Sequence, residues 1–187
     1  ADNASGSFID GSRFLSAGTF VNTLNSSDKI SGTPGTTNDT LFAQLVEPGT
    51  VTPQSVSGID IIQLENLNSP AAAVTLDLAN GDKSVTTVKV SNTTTAGNTV
   101  TVTNIQSAPT TVQLQNDSQD VTIGVAPAAL SGTSDAVALQ LTSVTGAPTV
   151  TLQPTAAGSG YETVNVASLG TVANSIKLTE GLGNSLT

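Results

Sequence analysis

A chain of 187 residues in which 37% are apolar has room for one sizeable but thin core. Its 14 acidic side chains outnumber the 5 basic ones, and the net charge of −9, with Arg13, Lys29, Lys83, Lys89 and Lys177 scattered, excludes nucleic acid as a partner. There is no Cys, Met, Trp or His, which excludes Ser-His-Asp and Cys-His enzymes and zinc sites. A cysteine-free chain suits an exported protein that gains nothing from disulfides. No apolar run approaches membrane-spanning length, so no transmembrane segment is expected. The opening ADNASGSFID lacks the blocks of a signal peptide, so either a leader has been removed or the residues are a piece of something longer.

The first distinct segment, SFIDGSRFLSAGTF (7 to 20), carries Phe8, Phe14 and Phe20. Residues 1–21 are read as a cap over an open end of the fold, or as a docking segment for a neighbouring domain or subunit. A polar stretch, KISGTPGTTNDTL (29 to 41), then leads into apolar alternation.

From Val74 onward one sentence repeats: a short alternating strand, then a polar turn. Its apolar positions begin with Val74, Leu76 and Leu78 and with Val85, Val88 and Val90. Val100 and Val102 follow, then Val112 and Leu114, then Val121, Ile123 and Val125. The series ends with Val137, Leu139 and Leu141, with Val150 and Leu152, with Val164 and Val166, and with Ile176 and Leu178. Period-two alternation dominated by Val and Thr predicts strands, because branched side chains fit a pleated, half-buried surface. Nine strands thus follow one another at spacings of roughly ten to sixteen residues. Turn words such as NGD (80 to 82), AGN (96 to 98), QND (115 to 117) and AGSG (157 to 160) separate them.

No segment holds helical spacing for three turns, so the chain reads as all-β. Two architectures fit: a parallel β-helix or β-solenoid of short strands, and an antiparallel β-sandwich. All four Phe residues precede residue 43 and Tyr161 is the only later aromatic. A core of small aliphatic side chains favours the narrow interior of a solenoid.

An internal repeat organises the chain. ISGTPGTTNDTLFAQL lies over LSGTSDAVALQL with the SGT triplets at 31 to 33 and 131 to 133 in line, which sets Asp39 on Asp135. SGIDIIQLENL (57 to 67) lies over SGYETVNVASL (159 to 169), and AAAVTLDL (71 to 78) near ANSIKL (173 to 178). Residues 22–129 are read as a first repeat unit and 130–187 as a second, truncated copy continuing the same solenoid.

At these residues the sequence resembles bacterial surface-layer proteins and related calcium-dependent exported proteins with degenerate calcium-binding β-helix repeats. The first family element falls on Gly32, Thr33, Asn38, Asp39, Thr40 and Leu41. The second falls on Gly160, Tyr161, Glu162, Thr163, Val164, Asn165 and Val166, and its earlier copy departs with Asp60 and Ile61. The resemblance implies a right-handed parallel β-helix outside the cell, calcium clasped at its turns, and homo-oligomeric self-association into a lattice or filament at the cell surface. It also implies type I export with a C-terminal signal. None is evident in GLGNSLT, so a segment of a larger chain is expected, anchored to cell-surface polysaccharide through another region.

Calcium takes six to eight oxygens, and an Asp beside Gly, Asn and backbone carbonyls in a tight turn supplies several. The candidate ligands are Asp28, Asn38 and Asp39 in the first copy and Asp135 in the second, followed by Asp82, Asp117 and Asp120. The plainer alternative is that each Asp closes its own turn.

Three other signals carry less. TVTVT (99 to 103) and PTVTL (148 to 152) resemble the Thr rows of ice-binding solenoids, but such a face needs the rows in register on every rung, and TVQLQ and TVKV break the pattern. Glu65, Glu162 and Asp60 are the carboxylates to consider for polysaccharide cleavage, without an aromatic platform to hold sugar. The five N-x-S/T triplets, at Asn3, Asn25, Asn38, Asn92 and Asn116, follow from composition. The expected function is therefore structural rather than enzymatic: an extracellular surface-layer or matrix component. The alternative is a spacer or ligand-binding module of a secreted adhesin.

Overall fold

The computed structural model describes residues 6–33, 36–154 and 160–180. Its elements begin with β1 (Phe8–Gly11), β2 (Phe14–Ser16), β3 (Thr19–Val21), β4 (Lys29–Ser31), β5 (Thr40–Leu45) and β6 (Gly49–Val51). They continue with β7 (Ser55–Ser57), β8 (Ile61–Asn66), β9 (Val74–Asp77), β10 (Thr87–Ser91), β11 (Val100–Ile105) and β12 (Thr111–Gln115). After β13 (Val121–Val125) comes a single 3-10 turn at Pro127–Ala129, then β14 (Ala136–Thr142), β15 (Thr149–Pro154), β16 (Thr163–Leu169) and β17 (Lys177–Glu180). All nine strands expected after Val74 are present, and eight others precede them.

The fold is a β-solenoid of about six turns. Each turn lays one strand in a first sheet, ordered β1-β5-β8-β10-β12-β14-β16, and one in a second, ordered β17-β15-β13-β11-β9-β6. Every pairing within these two sheets is parallel. In the early coils a third, narrow face adds β4 paired with β7, extended by a bridge from Val56 to Gly81. This settles the choice against an antiparallel sandwich: strands adjacent in sequence go to different sheets, and each pairs with the strand one coil away.

Inward side chains stack in columns. Ile62, Val88, Val112 and Leu139 are all fully buried and lie one above another in the first sheet. Val74, Val100, Val121 and Val150 do the same in the second. Each column packs like on like, so a parallel register shift of one residue turns a whole apolar set outward. The corners carry no such constraint, and coil length varies: partners on adjacent coils are 21 residues apart for Asp39 and Asp60, 29 for Asp120 and Thr149, and 32 for Ser7 and Asp39. Asparagine supplies the left-handed backbone at several strand ends, with positive φ at Asn92, Asn104 and Asn116.

The outward faces differ between the sheets. TVKV and TVQLQ lie in β10 and β12 of the first sheet, where Phe42, Gln63, Lys89, Gln113, Gln140 and Ala167 share a row. The second sheet instead sets Thr50, Thr75, Thr101, Thr122, Thr151 and Thr179 in one unbroken register. The interruption of the Thr pattern expected from sequence is thus corrected: the interrupting strands belong to the opposite face.

At the N-terminal end, β1 forms the edge of the first sheet, and β2 and β3 form an antiparallel hairpin. Its two-residue turn, Ala17 and Gly18, has φ of 48° and 85°, the mirror-image geometry that matches strand twist. The Arg13 guanidinium lies 4.0 Å above the Phe20 ring, while Phe14 and Leu15 remain exposed.

Candidate functional site

Asp39, Asp60, Asp135 and Glu162 stand at the corners that immediately precede β5, β8, β14 and β16 of the first sheet. Asp39 immediately precedes β5, and its carboxylate accepts the backbone N–H of Ser7 from the coil below and the Thr36 hydroxyl at 2.7 Å. Its own N–H donates to the Asp60 carboxylate of the coil above at 2.9 Å. The residues aligned with this pair repeat the arrangement: Asp135 N–H donates to the Glu162 carboxylate at 2.6 Å, while the Asp135 carboxylate accepts Gly132 N–H at 3.2 Å. The side chains of Asp39, Asp60 and Glu162 therefore tie one coil to the next, while that of Asp135 closes its own turn. The N–H of Ser7 and the Thr36 hydroxyl hold the Asp39 carboxyl below the usual range despite its burial.

The other candidates occupy separate corners. Asp28 accepts Asn25 N–H at 2.9 Å, and Asp120 accepts Thr149 N–H at 2.7 Å. Burial pushes the Asp82 carboxyl up, but the Ser84 hydroxyl and the N–H groups of Gly58 and Ser84 more than offset this and leave it lowered. Asn38 has φ of 70° and shapes the turn before Asp39. Calcium needs six to eight converging oxygens, and among the described residues no three acidic groups come together. Each of Asp28, Asp39, Asp82, Asp120 and Asp135 directs at least one carboxylate oxygen at an N–H or O–H donor of a turn or a neighbouring coil.

Asp117 differs. It is fully buried, its Oδ1 accepts Gln119 N–H at 3.0 Å, and its Oδ2 has no partner. Burial, with a contribution from the Asp120 charge, pushes its carboxyl up to about 6 against the N–H groups of Gln119 and Ser118. If a cation enters the described corners, Asp117 beside Asp120 holds the spare buried oxygen to receive it.

An asparagine cluster at the corner between the sheets was not legible from sequence. Asn98 Nδ2 donates to Asn66 O and Asn68 O, both at 3.2 Å, and its Oδ1 accepts Ala72 N–H at 2.9 Å. Asn66 Nδ2 bridges Ala72 O and Thr99 O, and its Oδ1 accepts the side-chain amide of Asn68. The repeated Asn in ENLNS and AGNT is the only signal. Asn98→Ala leaves three buried backbone groups short of a partner, and an expected cost of about 2–4 kcal/mol follows. Urea unfolding checks it, and an unchanged midpoint refutes it.

The three carboxylates weighed for sugar chemistry are not brought together. Asp60 and Glu162 sit at corners of different coils, bound to Asp39 and Asp135. Glu65 is buried on β8, accepting Gln44 Nε2 at 2.9 Å, Ser91 Oγ at 3.2 Å and Asn92 Nδ2 at 2.5 Å. Tyr161 is buried and donates to Pro109 O at 3.0 Å, and burial raises its phenol well above the usual range. At the far end of the stack Val166 continues the inward column above Leu139 but is 52% exposed.

No protein-family model, curated protein or solved structure matches the sequence.

Proposed function

We propose that the protein is a structural component of an extracellular bacterial surface layer or matrix, a β-solenoid whose work is self-association at the cell surface. The observation that carries this reading is the use of its motif carboxylates: those of Asp39, Asp60 and Glu162 join coil to coil, and Asp135 meets Glu162 through its backbone N–H. Such residues serve the stack itself. Among the described residues β16 and β17 are the last strands of the two sheets, and the exposed Val166, Leu169 and Val172 lie at this end as an apolar surface for a second copy to cover. Calcium enters as the cation that offsets repulsion between copies of net charge −9.

Electron microscopy and light scattering of the purified chain, in excess calcium and in excess chelator, test the reading. Ordered sheets or filaments that grow in calcium are expected, and Val166→Asp is expected to slow their growth. Particles that stay monomeric in both conditions overturn it and favour the adhesin spacer.

A further inference from the structure

The strongest unassigned feature is the outward face of the second sheet. Thr50, Thr75, Thr101, Thr122, Thr151 and Thr179 occupy the same lattice position on all six strands. They return to that position although the coils between them differ in length, so the row is not the by-product of a fixed sequence period. Nor is it the general filling of an exposed strand face with β-formers. The corresponding row of the first sheet, under the same demand for strand-forming side chains, mixes Phe, Gln, Lys and Ala.

The geometry of this row is that of a ruler. Parallel strands lie about 4.8 Å apart, so six rungs span about 24 Å. Threonine is stiff at χ1, and each side chain therefore presents one hydroxyl and one methyl in a restricted orientation. The hydroxyl offers a donor and two acceptor sites, of which the Thr151 to Thr179 contact at 2.9 Å uses only one between that pair. Charge is kept out of the row. Asp77, Asp120 and the exposed Lys177 flank it, and of these Asp77 accepts Ala79 N–H and Asn104 Nδ2, and Asp120 accepts Thr149 N–H.

A partner for such a face must itself be periodic, uncharged and able to donate and accept at every repeat. We propose that this face binds ice. Water anchored to hydroxyls at the strand spacing takes a repeat close to that of the oxygen lattice of ice, while the methyls between them exclude disordered water. Each rung contributes a weak, water-mediated contact, and six held in one rigid body act together.

The test is partition into slowly growing ice, with recrystallisation inhibition measured on the same samples. The purified chain is expected to be enriched in the ice fraction over a control protein of similar size. Thr101→Tyr with Thr122→Tyr brings it to the control's level. Thr87→Tyr with Thr111→Tyr, on the opposite sheet, leaves it unchanged. Circular dichroism melting establishes that each variant folds, and Thr101→Ser with Thr122→Ser, which frees the hydroxyl rotamer and deletes the methyl, covers failure of the Tyr pair to fold and is expected to lower enrichment. Exclusion of the unmodified chain from ice overturns the proposal, as does an equal loss in the variants of both sheets. A dimer that the second-sheet variants dissociate, without ice uptake, overturns it in favour of a second copy on the face.

Discussion

Gly32→Ala is expected to destabilise the protein by about 3 kcal/mol, the upper range for overpacking, and to lower its melting temperature by roughly 6–12 °C. A Cβ at this position meets the Gly58 carbonyl oxygen at 2.0 Å and Asp39 Oδ2 at 2.8 Å. Neither neighbour is free to move. Gly58 donates its N–H to Asp82 in the next coil at 2.8 Å, and the Asp39 carboxylate is engaged by Ser7 and Thr36. Gly132 is the informative control, because it occupies the same place in the second SGT triplet, yet a Cβ there comes no closer than 3.1 Å to anything, and that atom is Asp135 Oδ2. Gly132→Ala is therefore expected to cost no more than about 1 kcal/mol. Equal melting temperatures for the two variants would show that the close passage of the first coils is not as described.

Asp117→Asn is expected to stabilise the protein, and only at higher pH. The folded-state pKa of Asp117 is raised to about 6 from 3.8, so the folded chain binds a proton that the unfolded chain has lost over that interval. Stability therefore falls as pH rises from about 4 through 6, and above it the buried anion costs about 3 kcal/mol, at about 1.4 kcal/mol per unit. Asparagine keeps the acceptor for Gln119 N–H and removes the charge, though its amide brings a donor to a place with no acceptor. A rise in melting temperature of about 5 °C at pH 8, and no more than about 1 °C at pH 4, is the expected result. Asp10, held low by the Ser12 hydroxyl and N–H, and Asp39 and Asp82 act in the opposite sense: their contribution is present above the unfolded carboxylate range and is lost on acidification through their lowered values. A variant that melts like its parent at pH 8 would show that Oδ2 has a hydrogen-bond donor or cation not accounted for.

The alternation of Val and Thr was enough to find β9 to β17, because β9 to β15 alternate buried with more exposed side chains and β16 and β17 keep the same period at the more exposed end of the stack. It did not reveal which sheet each strand joins. Both sheets use the same period, and strands that follow one another in sequence alternate between them, so VTVT and VQLQ looked like variants of one face. Only the pairing of Thr101 with Thr75 and Thr122 separates them. The early strands were harder to read, since β4, β6 and β7 are three residues long and rich in Ser and Gly. Among the site residues, the SGT alignment set Asp39 on Asp135 and Asp60 on Glu162, and these pairs do stand at corresponding corners. Asp117 is among the later calcium candidates, indistinguishable in sequence from the other Asp residues of the turns, and it follows Asn116, whose left-handed backbone marks a genuine turn. Its burial is decided by coils above and below, which local sequence does not encode.

The direction of the hydrogen bonds gives the stack unequal strength. In both sheets the ladders run from coil to coil, along the axis on which coils accumulate, while the covalent backbone runs across it. Tension along the axis is carried by every coil-to-coil ladder in series, so the weakest of these interfaces sets the strength. Tension across the axis is borne by many strands at once. The solenoid is therefore compliant in one direction and stiff in the other.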